Sequence, residues 1–383
     1  MRALALTHVF PRHVDDPSAP FLLTWARALV EAGADVAVIA PHDAGLPRRR
    51  TVDGVPVRFV RYAPDRLEGL AYRGEMHRLA LRPAGPPLVA ALLRALARAL
   101  RAQVRAGSPD VVHVHWWLPG AVATRLARVD VPVVCTVHGT DVGLVESRPR
   151  LAGLARWALA GADRVEAVSS DLAERLERAV GRAPDAVNPM PADPAWFPAQ
   201  PAPSPAGRDD RLRVLAVGRM VPEKGFADLV SAVALLEAPA RLILVGDGPE
   251  RPRLEAHAAA LGVAAELPGR LAPPALRRAY AAADVVVQAS HREGFGLVAA
   301  EALLAGTPVV ATDSGGTREV LPAGDLVAVG DVPALAARLA AVAADPAAAR
   351  RAARQAGRRL RARLAPEAAA ERTLAGWRAV TGR

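Results

Sequence analysis

Lysine is almost missing from this chain. Of 49 Lys and Arg residues, only Lys224 is lysine. Cysteine is equally scarce, and the single Cys135 excludes an internal disulfide. It lies in the apolar run Val131-Pro132-Val133-Val134-Cys135-Thr136-Val137, where a small buried strand residue is the plain reading and a nucleophile is not. Such cysteine usage fits a reducing cytoplasm. Aromatics make up 4% of the residues, so the cores must be built from Ala, Val and Leu. No apolar stretch is long enough to span a membrane. The start, Met1-Arg2-Ala3-Leu4-Ala5-Leu6-Thr7-His8, turns polar too soon for a signal peptide.

What is abundant is arginine, and it gives a net charge of +10. Nucleic acid, an anionic membrane surface or phosphorylated small molecules would each suit this charge. The arginines are spread along the chain without interleaved Tyr or Phe, so no platform for stacking bases is formed. Nucleic acid is therefore not an expected partner.

At 383 residues the chain is too long for one ordinary core and suits two. Short β-type runs alternate with helical ones. In the first half the strand candidates are 3–6, 36–40, 55–60, 111–114, 133–137 and 164–168, with helices such as 21–32 and 87–106 between them. Such alternation predicts a mainly parallel sheet covered on both faces. It stops at the stretch from Pro189 to Asp210, whose prolines no helix or inner strand tolerates. Strand candidates then resume at 212–217, 241–245, 285–288, 308–311 and 326–329, and the chain after Val332 reads as helix. The expected fold is α/β, with two Rossmann-like doubly wound parallel-sheet domains. The first spans 1–190, a proline-rich linker 189–210, the second 211–364, and a last helix 365–383. Ligands of such sheets bind where the strands' carboxyl ends meet a cleft.

The chemistry-bearing residues cluster at those strand ends. The strand 212–217 runs into Gly218-Arg219, and Lys224-Gly225 opens the next helix. A planar guanidinium fork and a compact ammonium, five positions apart, can clamp a diphosphate. The next strand ends in Gly246-Asp247-Gly248-Pro249, where Arg251 stands in place of the last glycine of a dinucleotide fingerprint. After strand 285–288 comes Ser290-His291-Arg292-Glu293-Gly294-Phe295-Gly296-Leu297-Val298-Ala299-Ala300-Glu301. Here a Gly-X-Gly turn leads into a helix whose first N–H groups can receive an anion. Glu293 precedes that helix and Glu301 lies just over one turn inside it, so they can hold two ends of an elongated polyhydroxylated ligand. In the first half, His138 follows a strand in His138-Gly139-Thr140-Asp141. His113 and His115 alternate on one strand face; with no third ligand nearby they read as packing or cleft-lining residues rather than a metal pair. No Asp-X-Asp pair occurs anywhere. Metal-mediated nucleotide-sugar enzymes commonly carry one, so the Arg219/Lys224 pair becomes the expected counter-charge and no metal or other cofactor is expected.

Together these residues resemble the family-4 retaining glycosyltransferases of GT-B architecture over nearly the whole chain. The Glu-X7-Glu stretch from Glu293 to Glu301 carries most of the likeness. Gly218-Arg219, Glu223-Lys224-Gly225, Gly246-Asp247-Gly248-Pro249, Gly306-Thr307-Pro308, Gly315-Gly316 and His138-Gly139-Thr140-Asp141 follow the family order. The resemblance implies a sugar transfer from a UDP-, GDP- or ADP-sugar to a hydroxyl on a glycan, a lipid-linked sugar or a small molecule. It implies that Arg219 and Lys224 bind the donor pyrophosphate, with Gly218 and Gly246 at the strand ends. Glu293 would hold sugar hydroxyls, Gly294, Phe295, Gly296 and Leu297 would contact sugar and phosphate, and Glu301 would hold the ribose. Arg270 and Leu271 would lie by the base, and His138 beside the donor sugar. The leaving diphosphate itself would help deprotonate the incoming hydroxyl. The last helix, including Trp377, would cross back to the N-terminal domain.

This chain departs from the family pattern in three places. Asp16-Pro17-Ser18-Ala19-Pro20-Phe21 replaces a Gly-Gly loop, Met190-Pro191-Ala192-Asp193 replaces an Asn-Gly-Val-Asp-like turn, and the stretch after Gly315-Gly316 is short. The alternatives are a catalytically impaired sugar-nucleotide-binding subunit and another GT-B enzyme such as a sugar-nucleotide epimerase. Arg94, Arg98, Arg101 and Arg105 form one helical stripe. A solvated helix face explains it, and peripheral docking on anionic lipid is the alternative.

Overall fold

A computed structural model describes residues 1–72, 76, 83, 85–196 and 211–383. The chain divides into two units, Met1–Pro191 with Pro366–Arg383, and Ala192–Ala365. Residues 197–210 of the expected linker lie outside the described residues.

The first unit holds β1 (Arg2–Leu6), β2 (Asp35–Pro41), β3 (Arg49–Val52), β4 (Val55–Val60), β5 (Val111–His115), β6 (Val133–Val137), β7 (Arg164–Ala167) and β8 (Ala186–Val187). Their order is β3-β4-β2-β1-β5-β6-β7-β8. Every residue of β5 and β6 is buried, as expected of central parallel strands covered on both faces. Only β3 runs antiparallel, paired with β4. The sequence reading passes over β3 because Arg49-Arg50-Thr51 lacks an apolar pattern. Its hairpin is set by Asp53-Gly54, both at positive φ, the backbone a two-residue turn requires.

The second unit is wholly parallel, with β9 (Leu212–Val217), β10 (Ala240–Val245), β11 (Ala265–Gly269), β12 (Val285–Gln288), β13 (Val309–Thr312) and β14 (Leu326–Val327) in the order β11-β10-β9-β12-β13-β14. Val214, Ala216, Leu242, Leu244, Val285 and Val287 pack with Leu229 and Val230 of helix Phe226–Ala234 into one apolar core. β11 escapes the sequence reading because Pro268 stands inside it. Proline is tolerated there because β11 is an edge strand. In both units the parallel strands send their following loops to one edge of the sheet, and the candidate residues occupy those loops.

The C-terminal helical region is three helices, Val332–Ala344, Pro346–Leu364 and Pro366–Thr381. Asp331 and Asp345 cap the first two, accepting from Ala334 N and Ala348 N at 3.0 and 2.8 Å. The third belongs to the first unit and packs on helix Pro20–Glu31. Trp377 is fully buried and its Nε1–H donates to His113 Nδ1 at 2.9 Å. Trp25 Nε1–H donates to Thr373 Oγ1 at 3.1 Å. These apolar rings with satisfied polar tips anchor the helix. Trp377→Ala should therefore cost about 3–5 kcal/mol of stability, read as a lower urea midpoint. A change under about 1 kcal/mol would mean that the helix is not anchored by this residue.

Candidate active site

In the second unit the site is assembled from the loops after β9, β12 and β13. The β9 loop makes one 3₁₀ turn at Pro222–Lys224 and then reaches Gly225 at φ 62°. A Cβ on Gly225 would lie 1.9 Å from the carbonyl oxygen of Ala289, so only glycine lets this loop press against the end of β12. The loops are tied further by His291 N–H donating to Glu223 O at 2.8 Å and Glu293 N–H donating to Ser314 O at 2.9 Å. This places the Lys224 ammonium 2.5 Å from Glu293 Oε1, which also accepts from Ser290 Oγ at 2.7 Å. Both members of the ion pair are mostly shielded, with side chains 24% and 13% exposed. Arg219 is half-buried at the end of β9.

Helix Leu297–Leu304 starts beside this pair, with Gly296 at its N-cap in the left-handed region. Gln288, from the end of β12, supplies a cap in trans: its Oε1 accepts from Ala299 N at 3.0 Å. Its buried Nε2 has no hydrogen-bond partner among the described residues. Further along the helix, Glu301 Oε2 accepts from the Tyr280 hydroxyl at 3.0 Å. Loss of solvent raises the Glu301 pKa to about 7, outweighing that hydrogen bond.

In the first unit, β6 delivers His138. The turn after it is held by Asp141, whose Oδ1 accepts from the N–H groups of His138, Gly139 and Val142 at 3.1, 2.9 and 3.1 Å. Burial still raises the Asp141 pKa. The His138 ring stacks on Trp116, with centroids 4.2 Å apart, and lies 5.6 Å from the ring of Phe21. Its Nε2 meets His115 Nδ1 at 3.0 Å. Burial lowers the pKa of His138 and, to about 4, that of His8. The loop that lacks Gly-Gly is organised by charge: Arg12 Nε donates to the buried Asp16 at 2.6 Å, and Arg12 Nη1 to Asp43 at 2.6 Å. Ala19 then takes the left-handed conformation that opens helix Pro20–Glu31.

The description "Glycosyltransferase Family 4" matches residues 19–191, and "Glycosyl transferases group 1" matches residues 202–360. A D-inositol 3-phosphate glycosyltransferase of Xylanimonas cellulosilytica is 34% identical over 79% of this chain and 76% of its own length. The chain belongs to glycosyltransferase family 4. A 2-deoxystreptamine glucosyltransferase of Streptomyces kanamyceticus is 32% identical over 77% of this chain and 80% of its own. Among solved structures, sucrose-phosphate synthase from Thermosynechococcus elongatus aligns with a TM-score of 0.81 at 23% identity, covering all of both chains. The Anabaena protein HepE, solved with UDP and glucose, aligns with a TM-score of 0.73 at 21% identity, covering 98% of this chain and 99% of its own. Both share the GT-B fold.

In this family-4 glycosyltransferase the structure brings Lys224, Glu293 and Ser290 into direct contact. Gly218 and Arg219 lie in the β9 loop, Gly294, Phe295 and Gly296 in the β12 loop, Leu297 opens the following helix, and Gly246 follows β10. Gly246 N–H donates to Gly269 O at 2.9 Å, which ties the ends of β10 and β11 together. Exposed Arg270 and half-buried Leu271 follow directly. Glu301 sits apart from Glu293, on Tyr280. Sequence reading gave no role to Ser290, Gln288 or Tyr280. Ser290 stood inside the quoted stretch; Gln288 was readable only as a polar residue closing an apolar strand; Tyr280 is over twenty positions from its partner. His113 and His115 are packing residues, as expected, sealed among Trp25, Trp116 and Trp377.

The raised pKa of Glu301 makes the stability of the fold depend on pH. A carboxyl whose folded pKa lies above its unfolded value destabilises the fold as pH rises from about 4.5 through about 7. Glu301→Gln removes that penalty. The variant's melting temperature relative to the parent should be a few degrees higher at pH 8 than at pH 5. Equal differences at the two pH values in scanning calorimetry would refute the raised pKa.

Proposed function

We propose that the chain moves a sugar from a nucleotide-diphosphate sugar to a hydroxyl acceptor, with retention at the anomeric carbon and without a metal. The observation that carries this reading is the Lys224–Glu293 pair beside the N-terminus of helix Leu297–Leu304. An ammonium, a carboxylate and a row of helix N–H groups are together the counter-groups for a sugar joined to a diphosphate. The Lys224 cation rests on the Glu293 carboxylate. Donor binding offers the ammonium diphosphate oxygens instead and releases Glu293 to accept from sugar hydroxyls. Ser290 keeps the carboxylate in place during the exchange. Arg219 joins Lys224 on the diphosphate, and the charge that grows on it as the glycosidic bond breaks is met by both.

Glu301 accepts from the ribose, with Tyr280 holding its carboxylate. Arg270 and Leu271 lie by the base. His138 stands beside the donor sugar, and the departing diphosphate takes the proton of the incoming hydroxyl on the same face. UDP and UDP-glucose bind the structural neighbour HepE, which supports a UDP-sugar among the candidate donors. Relatives named for D-inositol 3-phosphate and 2-deoxystreptamine favour a small polyhydroxylated acceptor. The reaction belongs in the cytoplasm, consistent with one buried, unpaired cysteine.

A panel of UDP-, GDP- and ADP-sugars scored by thermal shift should show one donor that raises the melting temperature. The same donor should be hydrolysed or transferred in the presence of EDTA, with an unchanged anomeric configuration by NMR. Binding without any product would make the chain a binding subunit instead. Lys224→Arg keeps the charge but replaces a compact ammonium by a broad fork. It should lower kcat about 100-fold with the melting temperature preserved. Near-parental turnover would remove Lys224 from the reaction.

We also propose that helix Gly85–Gly107 meets anionic lipid through Arg94, Arg98 and Arg105, all exposed. Arg101 is engaged otherwise, donating to Ala127 O and Leu126 O at 2.7 and 2.9 Å. Binding to anionic vesicles should weaken with salt and with Arg94→Glu/Arg98→Glu. Unchanged sedimentation of that variant would leave these arginines as a solvated face.

A further inference from the structure

Beneath His138 lie two histidines that the proposed reaction does not use. His113 and His115 project from the same face of β5 with their rings stacked, centroids 4.8 Å apart. Both are sealed from solvent. Burial lowers the pKa of His113 to about 3 and that of His115 as well, so each ring is neutral and carries one proton. Their hydrogen-bond partners decide which nitrogen holds it.

At His113 a tryptophan decides. An indole N–H only donates, and His113 Nδ1 receives Trp377 Nε1–H. The proton of His113 is therefore on Nε2, where it donates to Thr136 Oγ1 at 2.9 Å. At His115, Nδ1 faces His138 Nε2, while the buried Nε2 has no hydrogen-bond partner among the described residues. Backbone N–H groups are stranded in protein interiors more rarely than acceptors, and we extend that preference to the imidazole. The bare nitrogen is thus Nε2, and the proton sits on Nδ1, donating to His138 Nε2. A neutral His138 then carries its own proton on Nδ1.

We propose that His115 is a positioning residue that fixes the tautomer of His138, so that His138 offers the substrates an Nδ1–H donor and not a base. This rests on the reading that His138 stands beside the donor sugar. Trp116 fixes the plane of the His138 ring, and His115 fixes which nitrogen is already occupied. No partner for His138 Nδ1 occurs among the described residues, and the side chain is only half-buried. A donor there suits a sugar hydroxyl oxygen, and it leaves deprotonation of the acceptor to another group.

The test uses the full chain with ¹⁵N-labelled histidine. Two-bond ¹H–¹⁵N correlations report the protonated nitrogen, and the His138 signals are those lost in His138→Gln. The parent should show His138 protonated on Nδ1. In His115→Leu, His138 should become a mixture of tautomers, and kcat should fall about tenfold with donor KM little changed. His115→Asn, which places an amide N–H near the former Nδ1, should restore both. A parent His138 protonated on Nε2 overturns the proposal, and this outcome requires no variant to fold. So does an unchanged tautomer in His115→Leu. A changed tautomer with unchanged turnover would uphold the role of His115 and remove His138 from the reaction.

Discussion

The contact between the Lys224 ammonium and Glu293 is the constraint around which the second unit's loops are arranged. The cation arrives from β9 and the carboxylate from β12, and Glu293 is held in turn by the backbone of Ser314 after β13. Three loops remote in sequence thus meet on one charged pair. Taking Glu293 away would leave the mostly shielded Lys224 ammonium without this counter-charge, which costs more than a surface pair contributes. The surrounding glycines follow from this meeting. Gly225 clears the carbonyl of Ala289, and a Cβ on Gly316 would lie 2.4 Å from the backbone of Gly294.

The first unit solves the corresponding problem without an ion pair at its centre. Its strand ends carry rings: His8, His115, Trp116 and His138, with Phe21 leaning in from helix Pro20–Glu31. Imidazoles in such company stay neutral, because desolvation opposes the charged form and each ring discourages its neighbours from protonating. The ring cluster is thus held neutral, whereas the second unit's loops meet on a charged pair. The ion pairs of the first loop lie with Arg12, which spends its guanidinium on Asp16 and Asp43.

Much of this was legible in the sequence because parallel sheets write themselves plainly. Long apolar runs such as Val111-Val112-His113-Val114 and Val133-Val134-Cys135 announce central strands, and the glycine-rich turns after them announce the functional edge. The strands that escaped notice lie at or near sheet edges. β3 begins with two arginines, β8 is two residues long, and β11 contains Pro268. The donor-side residues were readable because a single stretch, Ser290 to Glu301, holds most of them. Their supports were not. Tyr280 reaches Glu301, and Arg12 reaches Asp43, through tertiary contacts that no local pattern encodes.

The final helix has a consequence for how the molecule is made. Residues 366–383 complete the first unit, and Ala369, Ala370 and Trp377 are buried in it. During synthesis the ribosome releases the second unit's strands before these residues emerge. The half that begins the chain is therefore the half that finishes folding, and until residue 377 is free it must carry an open seam over His113. The second unit, Ala192–Ala365, is built from one continuous stretch and waits for no later segment.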